Sequence, residues 1–131
     1  MCGHNRKDNP LKRNSLDWLI YPEGIFLALE KLKRYNLDIL ITENGITIED
    51  DRQRWDFIRE HLAFVQKAIE SGVRVIGYIY WSLVDNFEWD KGFGPRFGLI
   101  EIDYATLKRS IRQSALNFAG VCKDNRINLV S

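Results

Sequence analysis

The stretch Ile39-Leu40-Ile41-Thr42-Glu43-Asn44-Gly45 runs from three apolar side chains into a hydroxyl, a carboxylate, an amide and a glycine. A carboxylate held at the end of a buried strand can attack an electrophilic carbon or take a proton. A second stretch, Trp81-Ser82-Leu83-Val84-Asp85-Asn86-Phe87-Glu88-Trp89, sets one indole ahead of an acid and a second indole. Flat aromatic faces cover the apolar C–H face of a pyranose, and carboxylates accept hydrogen bonds from its hydroxyl rim, so this combination suits a sugar. A packed aromatic loop accounts for the same residues without any ligand. Asp85 and Asn86 read as residues that hold the loop by hydrogen bonds to its backbone. Ser82 reads as local support and not as a nucleophile, because no histidine is placed to activate it.

The elements that must carry these residues follow from periodicity. Ile39 to Glu43 is too short and too β-branched for a helix and suits a parallel strand covered on both faces, with Gly45 turning the chain after it. Pro22 and Glu23 open a helix that carries Ile25, Leu29 and Leu32 on one side and ends near Asn36. Acids at Glu49, Asp50 and Asp51 favour the start of a longer helix, whose stripe is Trp55, Ile58, Leu62, Val65 and Ile69 and whose C-terminal cap is Gly72. His61 within it reads as a surface or boundary histidine, since no partner at metal-ligand spacing accompanies it. Val73 to Trp81 makes the second strand, and the strand, helix, strand order predicts a right-handed parallel crossover. Glu43 and the aromatic loop then fall at the same ends of neighbouring strands. In sheets of this kind ligands gather at those ends. Leu83 to Gly94 reads as a loop, Phe97 to Asp103 as a short strand, and about Ser110 to Cys122 as a last helix.

Composition excludes several classes of function. Lys and Arg number 19 against 18 Asp and Glu, a formal net charge of +1, which gives no field for nucleic acid or an anionic membrane. The basic residues Arg6, Lys7, Lys12 and Arg13 read as a solvated tail, because no aromatic motif accompanies them. Cys2 and Cys122 lie far apart and form neither a disulfide framework nor a metal knuckle, so no metal or cofactor is expected. No leader-like or membrane-length apolar run occurs, and the expected compartment is the cytoplasm.

Taken together, Thr42-Glu43-Asn44-Gly45, Trp81-Ser82-Leu83 and Asp85-Asn86-Phe87-Glu88-Trp89 closely resemble the corresponding motifs of glycoside hydrolase family 1, the β-glucosidases and β-galactosidases. Further matches are Tyr21-Pro22-Glu23-Gly24, Arg96-Phe97-Gly98-Leu99, Asp103-Tyr104 and Lys108-Arg109, all in the family's order. The resemblance covers roughly residues 16–122, flanked by an N-terminal arm (1–15) and a C-terminal tail (123–131). It implies the last two βα units of a (β/α)8 TIM barrel, incomplete as a lone chain. It implies that Glu43 is the catalytic nucleophile, that Trp81 is the platform under the ring and that Glu88 and Trp89 bind the sugar's outer hydroxyls. The implied substrates are β-linked glucosides, galactosides or oligosaccharides, and retention of Glu88 resembles the branch that acts on unphosphorylated sugars.

A retaining glycosidase needs a second carboxyl about 5–5.5 Å from the nucleophile. In this family it lies in an Asn-Glu-Pro motif, and that tripeptide is absent from these 131 residues. A closed barrel takes on the order of 200 residues or more. The lone chain is therefore expected to be inactive, and three outcomes stay open: one piece of a larger or split enzyme that needs a complementing N-terminal portion, self-association with copies of itself, or a truncated product that is only marginally stable. The alternative expectation is a non-catalytic carbohydrate-binding or interaction module.

Overall fold

The run ahead of Glu43 forms strand β1 (Ile39–Asn44), and β2 (Val75–Tyr80) lies beside it. The computed structural model describes residues 12–127. The two strands pair in parallel through Ile39 with Val75, Leu40 with Gly77, Ile41 with Tyr78 and Asn44 with Tyr80, with irregular register between. Helix α1 (Glu23–Leu32) precedes β1 and passes into a 3-10 turn that ends at Asn36, which adopts the left-handed conformation at φ 49°. Helix α2 (Asp51–Glu70) crosses from β1 to β2, its first turn capped by the Asp50 side chain, which accepts from the Arg52 N–H at 3.0 Å.

Two apolar clusters hold the layers together. Leu29 of α1, Val65 and Ala68 of α2, and Val73 form one, with Ile39, Ile41 and Val75 of the strands packed against it. Ile46, Ile48, Phe57, Ile58, Tyr80 and Leu99 form the other, which Phe118 and Ala115 close from the last helix. The helices thus cover one side of the strand pair. Leu40, Ile76 and Ile79 remain 47%, 66% and 51% exposed. Cover on both faces, expected from the apolar run, is not supplied by the described residues.

Two more differences concern the start of the last helix and the place of His61. The segment before the last helix forms β4 (Arg109–Ile111), antiparallel to β3 (Ile100–Ile102), so helix α3 starts later than its apolar pattern suggests and runs from Gln113 to Asp124. Its open N-terminus is served from α2: Asp51 accepts from the Ser114 N–H at 2.8 Å and from its hydroxyl at 2.6 Å. His61 is buried, not at the surface, with Nδ1 2.8 Å from the Phe57 carbonyl oxygen and its ring 3.8 Å from that of Phe57. Burial lowers its pKa below the ordinary histidine value and leaves it neutral near pH 7.

Most of the expected N-terminal arm, with Cys2, Arg6 and Lys7, lies outside the described residues, as do positions 128–131 of the expected tail. Residues 12–15 are tied down: Arg13 bridges to Leu19, and the Ser15 N–H reaches the Thr47 carbonyl. At the other end the helix includes Lys123 and Asp124. Cys122 is exposed and free. No described helix is long and apolar enough to cross a membrane.

Candidate active site

Both strands deliver their chemistry at the same end. At that end the Trp81 N–H donates to the Asn44 carbonyl at 3.0 Å, so residues 43–45 and 81 are neighbours across the ladder. Gly45 makes this approach possible, because a Cβ there would stand 1.7 Å from the Trp81 carbonyl oxygen. The side chain of Asn44 is held in turn by the Tyr78 hydroxyl, which donates to Oδ1 at 2.7 Å. Burial raises the Tyr78 pKa well above the usual phenol range, so it stays protonated and remains the donor.

Glu43, Trp81, Glu88 and Trp89 line one cleft of about 380 Å³, together with Trp18, Asn44, Gly45 and Phe97. All four residues singled out from the sequence are therefore brought to a common opening. The three indoles of its lining are solvent-exposed, Trp81 by 38%, Trp18 by 52% and Trp89 by 80%, and exposed aromatic faces are what a sugar ring stacks on. Trp18 belongs to no element that periodicity could place and is fixed by a tilted ring contact 6.2 Å from buried Phe97. Its aromatic type was the only available signal. A larger groove, about 800 Å³ and lined by Leu62, Val65, Ile76, Tyr78 and Val121 among others, contains no carboxylate and offers no comparable chemistry.

Beyond Trp81 the chain is ordered by buried polar groups. The peptide between Trp81 and Ser82 is cis, and the Ser82 hydroxyl donates to the Val84 carbonyl at 2.8 Å, the local support expected of it. Asp85 is buried and accepts from the two terminal guanidinium nitrogens of Arg112 at 3.1 Å, from Arg96 at 3.3 Å and from the Gly98 N–H at 2.8 Å. Burial alone would raise its pKa, but the hydrogen bonds from Arg112 and Gly98 outweigh it and hold the carboxyl below the usual range. Asn86 Nδ2 donates to the Val84 carbonyl at 3.2 Å. Asp85 and Asn86 both hold the loop and do not line the cleft.

Two arginines that the sequence did not single out complete the frame. Arg112 precedes α3 and anchors Asp85. Arg54, fully buried in α2, donates to the carbonyls of Ile48 at 2.5 Å and Arg96 at 3.1 Å, tying the turn after β1 to the segment after the aromatic loop. Arginines on predicted helices are ordinarily read as solvated, so neither could be found without the partners. Among the described residues, no group of His, Cys, Asp and Glu is arranged to hold a metal ion.

The chain is similar to known proteins along nearly its whole length. The model of glycosyl hydrolase family 1 matches residues 2–127. Beta-glucosidase A of Thermotoga maritima is 39% identical over 129 residues, which take in 90% of this chain and 29% of that protein. A beta-galactosidase of Sulfolobus acidocaldarius is 40% identical over 118 residues, 89% of this chain and 24% of that protein. The beta-glycosidase from Pyrococcus horikoshii superposes with a TM-score of 0.88 at 47% identity, covering 92% of this chain and 29% of that one. The chain thus spans less than a third of the length of these relatives, and its parallel strand pair with flanking helices is part of a TIM barrel, not a closed one. On a family match along nearly its whole length, with relatives about 40% identical, this chain belongs to glycosyl hydrolase family 1.

Proposed function

We propose that this chain carries the nucleophile and half of the sugar site of a retaining β-glycosidase acting on unphosphorylated β-glucosides or β-galactosides. The observation that supports it most is the common cleft of Glu43 and Trp81. The Glu43 carboxylate attacks the anomeric carbon, a glycosyl ester forms, and the bond to the leaving oxygen breaks. That oxygen needs a proton from a second carboxyl, which the family carries on an earlier part of the barrel. Water, giving a proton back to that second carboxyl, then cleaves the ester and restores the Glu43 carboxylate. Trp81 lies under the ring, while Glu88 and Trp89 meet the outer hydroxyls. A carboxylate at Glu88 repels a sugar phosphate.

The missing acid makes this chain inactive alone and active with a complementing N-terminal portion, in a cytoplasmic setting where Cys122 stays reduced. The test is hydrolysis of an aryl β-glucoside by the chain alone, and by the chain joined to the N-terminal part of the Thermotoga maritima beta-glucosidase A barrel. Activity is expected only in the second case, and Glu43→Gln removes it. Robust turnover by the lone chain would require a second carboxylate from Glu88 or another copy. Sugar binding that survives Glu43→Gln but not Trp81→Ala, with no turnover in either form, would identify a binding module instead.

A further inference from the structure

The loop that bears Glu88 and Trp89 starts and ends at one place. Residues 82–85 run beside 97–100, through Leu99 N–H to the Ser82 carbonyl at 2.9 Å, Ile100 N–H to that of Leu83 at 2.8 Å and Asp85 N–H to that of Ile100 at 3.0 Å. Gly98 belongs to this neck, because a Cβ there would stand 2.2 Å from the Asp85 nitrogen. Residues 86–95 leave the neck as a closed loop whose tip, the 3-10 turn Trp89–Lys91, contains no buried residue. A tip without a core of its own takes its position from its base.

Asp85 sits at that base with its side chain wholly buried. Its two oxygens receive the Arg112 fork, the Arg96 guanidinium, the Gly98 N–H and a long contact from the Ile102 N–H at 3.4 Å. A buried ion pair is weak evidence for stability, since apolar side chains often serve as well. A bidentate fork fixes direction, which apolar packing does not. From this hub a line of rings leads outward. The Arg96 guanidinium lies 4.7 Å over the Tyr104 ring, Tyr104 lies 4.7 Å from Phe93, and Phe93 meets Phe87 edge-on at 5.2 Å. The Tyr104 hydroxyl also donates to the Asn86 carbonyl at 3.4 Å. Phe87 is the residue before Glu88.

We propose that Asp85, acting through Arg96 and Arg112, is the positioning residue of the sugar-recognition loop and sets where Glu88 and Trp89 meet the sugar's outer hydroxyls without touching the sugar itself. This rests on the reading of Glu88 and Trp89 given above. The consequence is a specificity effect: loosening the neck costs recognition of the outer hydroxyls and spares the reaction at the anomeric carbon.

Asp85→Asn tests this in two ways. Hydrogen exchange in the chain itself compares the amides of residues 86–93 with those of α2, and the loop is expected to exchange about tenfold faster while α2 is unchanged. In the chain joined to the N-terminal part of the Thermotoga maritima barrel, kcat/KM is compared for an aryl β-glucoside and an aryl β-xyloside, which lacks the outer hydroxymethyl group. The preference for glucoside is expected to fall about tenfold, mainly through KM, with the xyloside rate kept within about twofold. Equal loss on both substrates with unchanged loop exchange would make Asp85 a stabiliser only and overturn the proposal. Glu88→Ala separates the two readings. Preference lost in Glu88→Ala but kept in Asp85→Asn overturns the positioning role alone. Preference kept in Glu88→Ala overturns the sugar reading, and loop exchange then decides whether Asp85 sets the loop. Should Asp85→Asn not fold, Arg96→Gln keeps the backbone contacts of Arg96 to Thr47 and Arg54, and the same two shifts are expected in smaller measure. Their absence there overturns the proposal too.

Discussion

Gly45 and Trp81 meet backbone to backbone, so closely that a Cβ on Gly45 would come within 1.7 Å of the Trp81 carbonyl oxygen. The distance between the acid at position 43 and the indole at position 81 therefore depends on a side chain that is missing. Gly45→Ala is expected to destabilise the chain by about 2–3 kcal/mol, because a backbone oxygen cannot swing aside as a side chain can. Gly120→Ala in α3 is the contrasting case, with nothing within 4 Å of the new Cβ and a gain of up to about 1 kcal/mol from helix propensity. Urea unfolding of the two variants measures both.

Asp51 serves two helices. It stands in the first turn of α2, lies 3.3 Å from Arg54 Nε and caps α3 through the Ser114 N–H and hydroxyl. Asp51→Ala is expected to cost about 3 kcal/mol, since it uncaps α3 and leaves a buried guanidinium without its counter-charge. Ser114→Ala, which removes one hydroxyl bond and keeps the capped N–H, is expected to cost about 1 kcal/mol. A smaller loss for Asp51→Ala than for Ser114→Ala would contradict this assignment.

Stability should fall with acid in two stages. The His61 pKa is lowered by burial from its ordinary 6.5, so the unfolded chain takes up that proton first and stability declines as pH falls below 6.5. The Asp85 carboxyl is held below its ordinary 3.8, so its contribution is complete above that value and is lost as pH falls through the folded pKa. Denaturation midpoints measured from pH 8 to pH 3 should show both declines. His61→Asn should remove the first and keep the second.

Charge at position 88 should govern tolerance of a phosphate. In the chain joined to an N-terminal barrel portion, an aryl 6-phospho-β-glucoside is expected to be hydrolysed about a hundredfold less efficiently than the aryl β-glucoside, because like charges at close range cost several kcal/mol. Glu88→Ser should narrow that gap by lowering one rate and raising the other, which steady-state kinetics on the two substrates would read.

What the sequence disclosed was whatever local pattern governs. The stripe from Trp55 to Ile69 marks α2 because burial repeats at helical spacing, and Glu43 and Trp81 stand at strand ends because the apolar runs stop there. What stayed hidden was fixed by contacts that apolar spacing does not encode. Arg109 to Ile111 pairs with Ile100 to Ile102, which no local periodicity reports. Arg54 and Arg112 look like surface charges until the carbonyls of Ile48 and Arg96 and the Asp85 carboxylate are placed beside them. His61 is buried although imidazole is compatible with either side of a helix, because its ring packs on that of Phe57, one turn earlier, and Nδ1 reaches the Phe57 carbonyl. Trp18 joins the cleft through a contact with Phe97, far along the chain.

The central claim, that Glu43 is the nucleophile, is tested most directly by covalent trapping. A 2-deoxy-2-fluoro-β-glucoside with a good leaving group slows release of the glycosyl ester, because fluorine at C2 destabilises the oxocarbenium-like transition state. Incubated with the chain joined to an N-terminal barrel portion, then digested and analysed by mass spectrometry, it should leave one sugar on the peptide containing Glu43 and none in Glu43→Gln. Hydrolytic activity with the label on Glu88, or with no label on Glu43, would contradict the account.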